Sequence, residues 1–137
     1  MMVEMELSKI VIDEKRHDQL IVLKEKGGIR ILPIVIGLNE ASAIKLKISG
    51  FIPPRPLTHD LLNAVIENLE AKIQKIVIDK LEENTFHAKI VLVNSAQQEK
   101  TVDARPSDSI ALAVRTHAPI FVDESIVQKS EASNNEH

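Results

Sequence analysis

The stretch Asp103-Ala-Arg-Pro-Ser-Asp-Ser-Ile-Ala-Leu-Ala113 organises the rest of the chain. Its first six residues hold two carboxylates, a guanidinium and a proline, and the remainder continues as an apolar helix pattern. A short strand from Lys100 to Ala104 precedes it, so the polar cluster is predicted where a strand passes into a helix. Backbone N–H groups and the positive end of the helix dipole concentrate at such a point, which suits both helix capping and anion binding.

Strand and helix patterns alternate on either side of this stretch. Further strands are predicted at Leu7–Ile12, Leu20–Leu23, Ile29–Ile36, Ile73–Leu81, from Phe86 to Leu92, and at Pro119–Val122. Helices are predicted after Asn39, Thr58 and Ser107, the usual residue types for N-caps. The helix after Thr58 carries a strong amphipathic stripe, which comprises Leu61, Leu62, Val65, Ile66 and Leu69.

The third strand, Ile29–Ile36, is nearly all apolar, so we expect it to be covered on both faces. Pro33 within it implies an edge position or a bulge, because proline cannot donate to a ladder of hydrogen bonds. Such a strand could also lie at a subunit interface. Residues 1–127 are predicted to form one domain, and the polar residues 128–137 a disordered tail.

An internal repeat divides the chain. Lys9-Ile-Val-Ile-Asp13 recurs letter for letter as Lys75-Ile-Val-Ile-Asp79, and each copy begins a run of three strands followed by a helix. Glu40 and Asp108 then occupy equivalent helix starts. These patterns predict an α+β fold, built from duplicated three-strand-plus-helix units that form a compact mixed sheet or barrel with flanking helices.

Composition limits the classes of function. The 137 residues contain 17 basic and 20 acidic side chains, no cysteine and only three aromatics, all phenylalanine. Zinc–thiolate sites and cysteine nucleophiles are therefore excluded, and tight passive binding of nucleic acid is disfavoured. The apolar runs are too short to span a membrane, and the first residues lack the pattern of a secretion signal, so we expect a cytoplasmic protein with no membrane partner.

Three polar clusters stand at predicted helix starts, and each has a structural and a functional interpretation. Glu40 follows Gly37-Leu-Asn39, and a carboxylate in a first helical turn is ordinary capping chemistry. In Arg55-Pro-Leu-Thr-His-Asp60, Thr58 could cap the helix with Asp60 in its first turn. Alternatively, Arg55 could bind a phosphate while His59 acts as an acid, a base or a ligand.

The third cluster comprises Asp103, Arg105 and Asp108. Structurally, Ser107 would cap the helix and Arg105 would form a surface ion pair. Functionally, Asp103 and Asp108 could share a divalent cation through oxygen ligands while Arg105 binds a phosphate. No HExxH, GxSxG or glycine-rich phosphate loop is present to favour another chemistry.

The three clusters together resemble the bifunctional nuclease domain family, a group of small bacterial proteins with some plant members. The similar segments are Leu32-Pro-Ile-Val-Ile-Gly37 with Glu40-Ala41, Arg55-Pro-Leu-Thr-His-Asp-Leu-Leu62 and Val102-Asp-Ala-Arg-Pro-Ser-Asp-Ser-Ile-Ala-Leu-Ala113. The resemblance covers about residues 5–127. Ser109 departs from it, since family members usually carry alanine there.

The resemblance implies a nuclease that hydrolyses DNA, RNA or both, with nucleic acid as its substrate. On this hypothesis His59, Asp60, Asp103 and Asp108 are catalytic, and Arg55 and Arg105 bind phosphate. Glu40, Asp103 and Asp108 would hold Mg²⁺ or Mn²⁺, and no organic cofactor is needed. Apart from the resemblance, we expect a homo-oligomer, either a dimer or a trimer. The alternative is a non-enzymatic module in which the same clusters bind an anionic ligand or only attach helix starts to the sheet.

Overall fold

Residues 1–135 are described by the computed structural model, the last two of them by their backbone alone. Seven strands form one mixed sheet in the order β3-β2-β1-β7-β4-β5-β6. Their bounds are β1 Met2–Val11, β2 Asp18–Glu25, β3 Ile31–Gly37, β4 Ala71–Glu82, β5 Thr85–Asn94, β6 Glu99–Ala104 and β7 Ile120–Asp123. The helices are α1 Leu38–Ile48, α2 Thr58–Asn68, α3 Pro106–Thr116 and α4 Glu124–Asn135. The α+β class is confirmed.

The order of strands follows from two antiparallel meanders. Strands β1–β3 form one and β4–β6 the other, and β7 joins them by pairing antiparallel with β1 and parallel with β4. The sheet runs from edge strand β3 to edge strand β6, so it is the open form of the predicted sheet or barrel. The two copies of Lys-Ile-Val-Ile-Asp begin at Lys9 in β1 and Lys75 in β4. A duplication of the chain stays a prediction.

The core lies on one face of the sheet. Met5, Ile120, Ile76 and Ile90 stand opposite one another across four neighbouring strands, and all four are buried. Because strand side chains alternate between faces, this register directs one apolar row against the helices. No helix within residues 1–135 is long and apolar enough to cross a membrane.

Strand β3 confirms one expectation and corrects another. In the described part of the chain it pairs only with β2, so Pro33 lies in an edge strand as predicted. Its burial alternates, however: Leu32 and Ile34 are buried whereas Ile31 and Val35 are exposed. The expectation that both faces are covered was wrong, because only one side of this strand faces the apolar core.

The predicted disordered tail is also corrected, since residues 124–135 form helix α4. Asp123 begins it by accepting hydrogen bonds from the backbone N–H and the hydroxyl of Ser125. Ile126 and Val127 are buried in the core, which anchors the first turns of this otherwise polar helix. Residues 136 and 137 of the predicted tail lie outside the described part of the chain.

Candidate functional site

Three helix starts supply the candidate site, and each helix begins earlier than predicted. The residues that precede the helices are Gly37, Leu57 and Arg105, all with extended backbone. Asn39, Thr58 and Ser107 were wrongly predicted as N-caps, because they lie inside the first turns. None of the three helices is capped by the side chain of its N-cap residue. Capping by the N-cap side chain therefore does not account for the polar residues found here, although Asp60 accepts a hydrogen bond from the backbone N–H at the N-cap of α2.

Arg105 connects two of the three starts. Its Nε donates to Asp108 Oδ2 at 2.8 Å and its Nη2 to Asp108 Oδ1 at 3.2 Å. Its Nη1 donates to Glu40 Oε1 at 3.1 Å, across 65 residues of sequence. The Arg105 side chain is nevertheless 65% exposed, and two of its five N–H donors are not engaged in these bonds. It can therefore receive an anion from solvent.

His59 brings in the third helix start. Its Nε2 lies 3.0 Å from Asp108 Oδ1, and its side chain is only 12% exposed. The other ring nitrogen, Nδ1, has no hydrogen-bond partner within the described residues. A carboxylate on one ring nitrogen selects the tautomer and orients the ring, so the second nitrogen is available to exchange a proton.

Asp108 stays ionised over a wide pH range. Burial on its own would raise the pKa of this carboxyl, but hydrogen bonds from Arg105 and His59 outweigh burial and lower the pKa below its ordinary value. The same ion pair raises the pKa of Arg105. The carboxylate of Asp108 is therefore ionised at neutral pH, so it can accept a hydrogen bond from His59 and orient the ring.

The cluster of Glu40, His59, Arg105 and Asp108 lies between two grooves. One, of about 370 Å³, is lined by this cluster together with Leu46 of α1. The other, of about 430 Å³, lies on the far side of Glu40 and Arg105, against edge strand β3. Both are open to solvent, so an extended polymer could cross the cluster from one groove to the other.

Asp60 faces Arg115 rather than the cluster. Its Oδ1 accepts from Arg115 Nε at 2.8 Å, and its Oδ2 accepts from the backbone N–H of Leu57 at 3.0 Å. Burial tends to raise the pKa of Asp60, but the contacts with Leu57 and Arg115 lower it overall. Arg115 is 4% exposed and also donates to the carbonyl oxygens of Ala111 and Ala43. Through Arg115, this ion pair connects α1, α2 and α3. Its geometry is that of a contact that holds the three helices together.

Sequence reasoning missed Arg115, and its spacing from Asp108 was the only hint in the sequence. Asp108 and Arg115 are seven residues apart on α3, so they share one helix face. The consecutive residues His59 and Asp60 each contact one of them. The spacing places Asp108 and Arg115 on one face of α3, but it does not specify which residues of α2 they contact.

Asp103 and Arg55 lie apart from the cluster. Asp103 is exposed and opposite Lys89 in the sheet, whereas the adjacent pair, Ala104 and Ala88, faces the core. Arg55 lines a different depression, next to Asp60. The structure therefore does not bring the three predicted metal ligands together, since only Glu40 and Asp108 share a partner. Residues 1–135 contain no group of three or more His, Cys, Asp or Glu suited to hold a metal ion.

Comparison with known proteins gives one matching family. The sequence model of the bifunctional nuclease domain matches residues 21–135. An uncharacterized protein of Mycobacterium tuberculosis is 38% identical over 127 residues, which cover 93% of this chain and 75% of the relative. Bifunctional nuclease 2 of Oryza sativa is 28% identical over 84% of this chain, and Bifunctional nuclease 1 of Arabidopsis thaliana 23% identical over 82%. The chain spans about a third of the length of these plant relatives.

Proposed function

Because the chain belongs to the bifunctional nuclease domain family, we propose that it hydrolyses phosphodiester bonds of DNA and RNA at the cluster of Glu40, His59, Arg105 and Asp108. One observation carries the assignment to these residues. A histidine oriented by a carboxylate lies beside an exposed arginine, and the second ring nitrogen of the histidine has no partner among residues 1–135. Proton transfer and phosphate binding are the two tasks that phosphodiester hydrolysis requires.

In the proposed reaction each residue has one task. Arg105 donates its free N–H groups to the non-bridging oxygens of the phosphate and stabilises the charge that develops there. His59 accepts the proton of the attacking water at Nδ1, while Asp108 stabilises the imidazolium that forms. The oxygen of water bonds to phosphorus, the bond from phosphorus to the leaving oxygen breaks, and the leaving oxygen takes a proton from solvent.

A divalent cation fits the donor set in part. Mg²⁺ in proteins commonly has one or two carboxylate ligands together with substrate phosphate and water. Glu40 and Asp108 are two such carboxylates, and both contact the Arg105 guanidinium. We propose that Glu40 and Asp108 would hold such a cation. A bound cation supplies Lewis-acid stabilisation of the phosphate charge.

Cleavage of circular plasmid DNA and single-stranded RNA by the purified protein with Mg²⁺ tests the proposal. The wild type should cleave both substrates, His59→Ala should lose at least about 100-fold in rate, and His17→Ala should behave as the wild type. His17 is exposed in the turn between β1 and β2, so it serves as the matched control. Intact substrates, or a fully active His59→Ala variant, would refute the proposal.

A non-enzymatic module is the second candidate, because the charges of the cluster are already paired within the chain. Arg105 pairs with both Glu40 and Asp108, and Arg115 pairs with Asp60. On this alternative, Asp108→Asn lowers the melting temperature and no variant affects cleavage, because there is none. A cytoplasmic location and self-association as a dimer or trimer stay predictions under both candidates.

A further inference from the structure

Helix α2 is attached to the protein through its polar side chains. His59 contacts Asp108 at the start of α3, and Asp60 contacts Arg115 near its end. Only Ile66 of the predicted apolar stripe packs against the core, and no residue of α2 is fully buried. An amphipathic helix on a protein surface normally turns its apolar side inward. Helix α2 instead turns polar side chains inward and most of its apolar stripe outward.

The apolar side of α2 faces solvent. Leu61, Val65 and Leu69 follow one another at intervals of four residues, so they form one stripe along the helix. Their exposed fractions are 57%, 47% and 73%, and Leu62 beside them is 41% exposed. Within the described residues nothing covers this stripe, although burying it would be favourable.

The end of α1 and the segment that connects α1 to α2, residues 49–57, extend the same apolar surface. Leu46, Phe51 and Ile52 are exposed and line one depression with Leu57 and Asp60 at the start of α2. The surface, here called the α2 face, comprises seven exposed side chains: Leu46, Phe51, Ile52, Leu61, Leu62, Val65 and Leu69. At roughly 100 Å² for a fully exposed side chain, they expose on the order of 400 Å² of apolar surface. That is about half of the roughly 800 Å² that each partner contributes to a stable interface.

Charges at the two ends of the α2 face have opposite signs. Lys47 and Arg55 lie near the start of α2, whereas Glu67 and Glu70 lie at its end. None of these four forms an ion pair with another residue of the described chain. If two copies of α2 pack antiparallel, the basic end of each helix meets the acidic end of the other. A two-fold axis produces this pairing without a second kind of protein.

We propose that the α2 face is the interface of a homodimer in which two α2 helices pack antiparallel about a two-fold axis. The occupant is a second copy because the face complements itself in charge, and because its apolar surface supplies about half of the area that each subunit of a stable dimer buries. The interface lies beside the candidate site. His59 is in the first turn of α2, so the partner would hold the helix that positions this ring.

Sedimentation velocity at high micromolar concentration tests the interface. The wild type should sediment as a dimer, Val65→Glu as a monomer, and Val35→Glu as a dimer. Val35 is a matched control, since it is an equally apolar, exposed residue of edge strand β3, where the sequence pointed to an interface. Leu69→Glu should repeat the result of Val65→Glu, and far-UV circular dichroism checks that each variant is folded. A monomeric wild type, a dimeric Val65→Glu variant, or dissociation by Val35→Glu alone would overturn the proposal.

Charge reversal tests the antiparallel arrangement. Arg55→Glu and Glu70→Arg should each raise the dissociation constant of the dimer by about ten-fold, because each places like charges opposite one another at both ends of the interface. The double variant should restore the wild-type constant, since it exchanges the two partners. Restoration also shows that the single variants are folded. A double variant that dissociates as readily as the worse single one would refute this arrangement.

Discussion

His59 and Asp108 belong to different helices, and their side chains meet with 3.0 Å between Nε2 and Oδ1. The contact spans 49 residues of sequence and is made at the first turns of α2 and α3. Arg105 binds the same carboxylate and extends the contact to Glu40 in α1. One aspartate thus organises a histidine and an arginine contributed by neighbouring elements.

Arg105→Lys should reduce cleavage while leaving the fold intact. Lysine keeps the charge but loses the planar fork that holds Asp108 and Glu40 together and offers further donors. We expect kcat/KM to fall at least about ten-fold. The free energy of unfolding should change by no more than about 1 kcal/mol, because the side chain is mostly exposed. Steady-state kinetics and urea unfolding measure the two; unchanged kinetics would remove Arg105 from the site.

Arg115→Met should destabilise the protein much more than Arg105→Lys. The substitution removes the donor to Asp60 and leaves a half-buried carboxylate without its charge partner. The expected loss in the free energy of unfolding is about 3 kcal/mol. Urea unfolding of Arg115→Met and of the double variant Asp60→Asn, Arg115→Met measures it. The double variant should recover part of the loss, and failure to do so would show that the pair is not the cause.

Acid should destabilise the protein in a window set by depressed pKa values. Asp60 and Asp108 have lower pKa values in the folded state than in the unfolded chain, where an aspartate titrates near about 3.9. Their contribution to stability is therefore present above about pH 4 and is lost as the pH falls through the folded pKa. The melting temperature should be nearly flat from neutral pH to about 5 and then fall. Asp60→Asn should flatten this fall; an unchanged acid slope would contradict the assignment.

Removal of divalent cations should stop cleavage if the cation proposal is correct. EDTA should abolish activity and Mg²⁺ should restore it, with Glu40→Gln needing at least roughly ten-fold more Mg²⁺ than the wild type. Asp103→Asn should need no more than the wild type, because Asp103 does not join Glu40 and Asp108. Titration of activity against Mg²⁺ measures all three. Full cleavage in EDTA would mean that His59 and Arg105 act without a cation.

The sequence predicted much of the fold because its signals were local. Alternation in β5, the helix pattern after Ser107 and the proline in β3 each depend on near neighbours in the chain. Helix α4 was missed because its stability comes from Ile126 and Val127 in a distant core. Its polar composition alone resembles a tail.

The candidate site could be predicted only in part. Glu40, His59, Arg105 and Asp108 stood out as polar residues at helix starts, and the structure brings these four together. Asp103 stood out in the same way, yet strand alternation turns it away from the core face that Ala104 joins. The pairing of Asp60 with Arg115 depends on how α2 crosses α3, and no local pattern encodes that crossing.

Comparison of Asp108→Asn with Asp103→Asn in nucleic-acid cleavage tests the central claim most directly. The two aspartates lie five residues apart at the same junction of strand and helix, and only Asp108 contacts His59 and Arg105. Asp108→Asn should lose at least about 100-fold in kcat, whereas Asp103→Asn should stay within about three-fold of the wild type. Equal losses in the two variants, or a larger loss for Asp103→Asn, would contradict the assignment of the site to the His59–Asp108 pair.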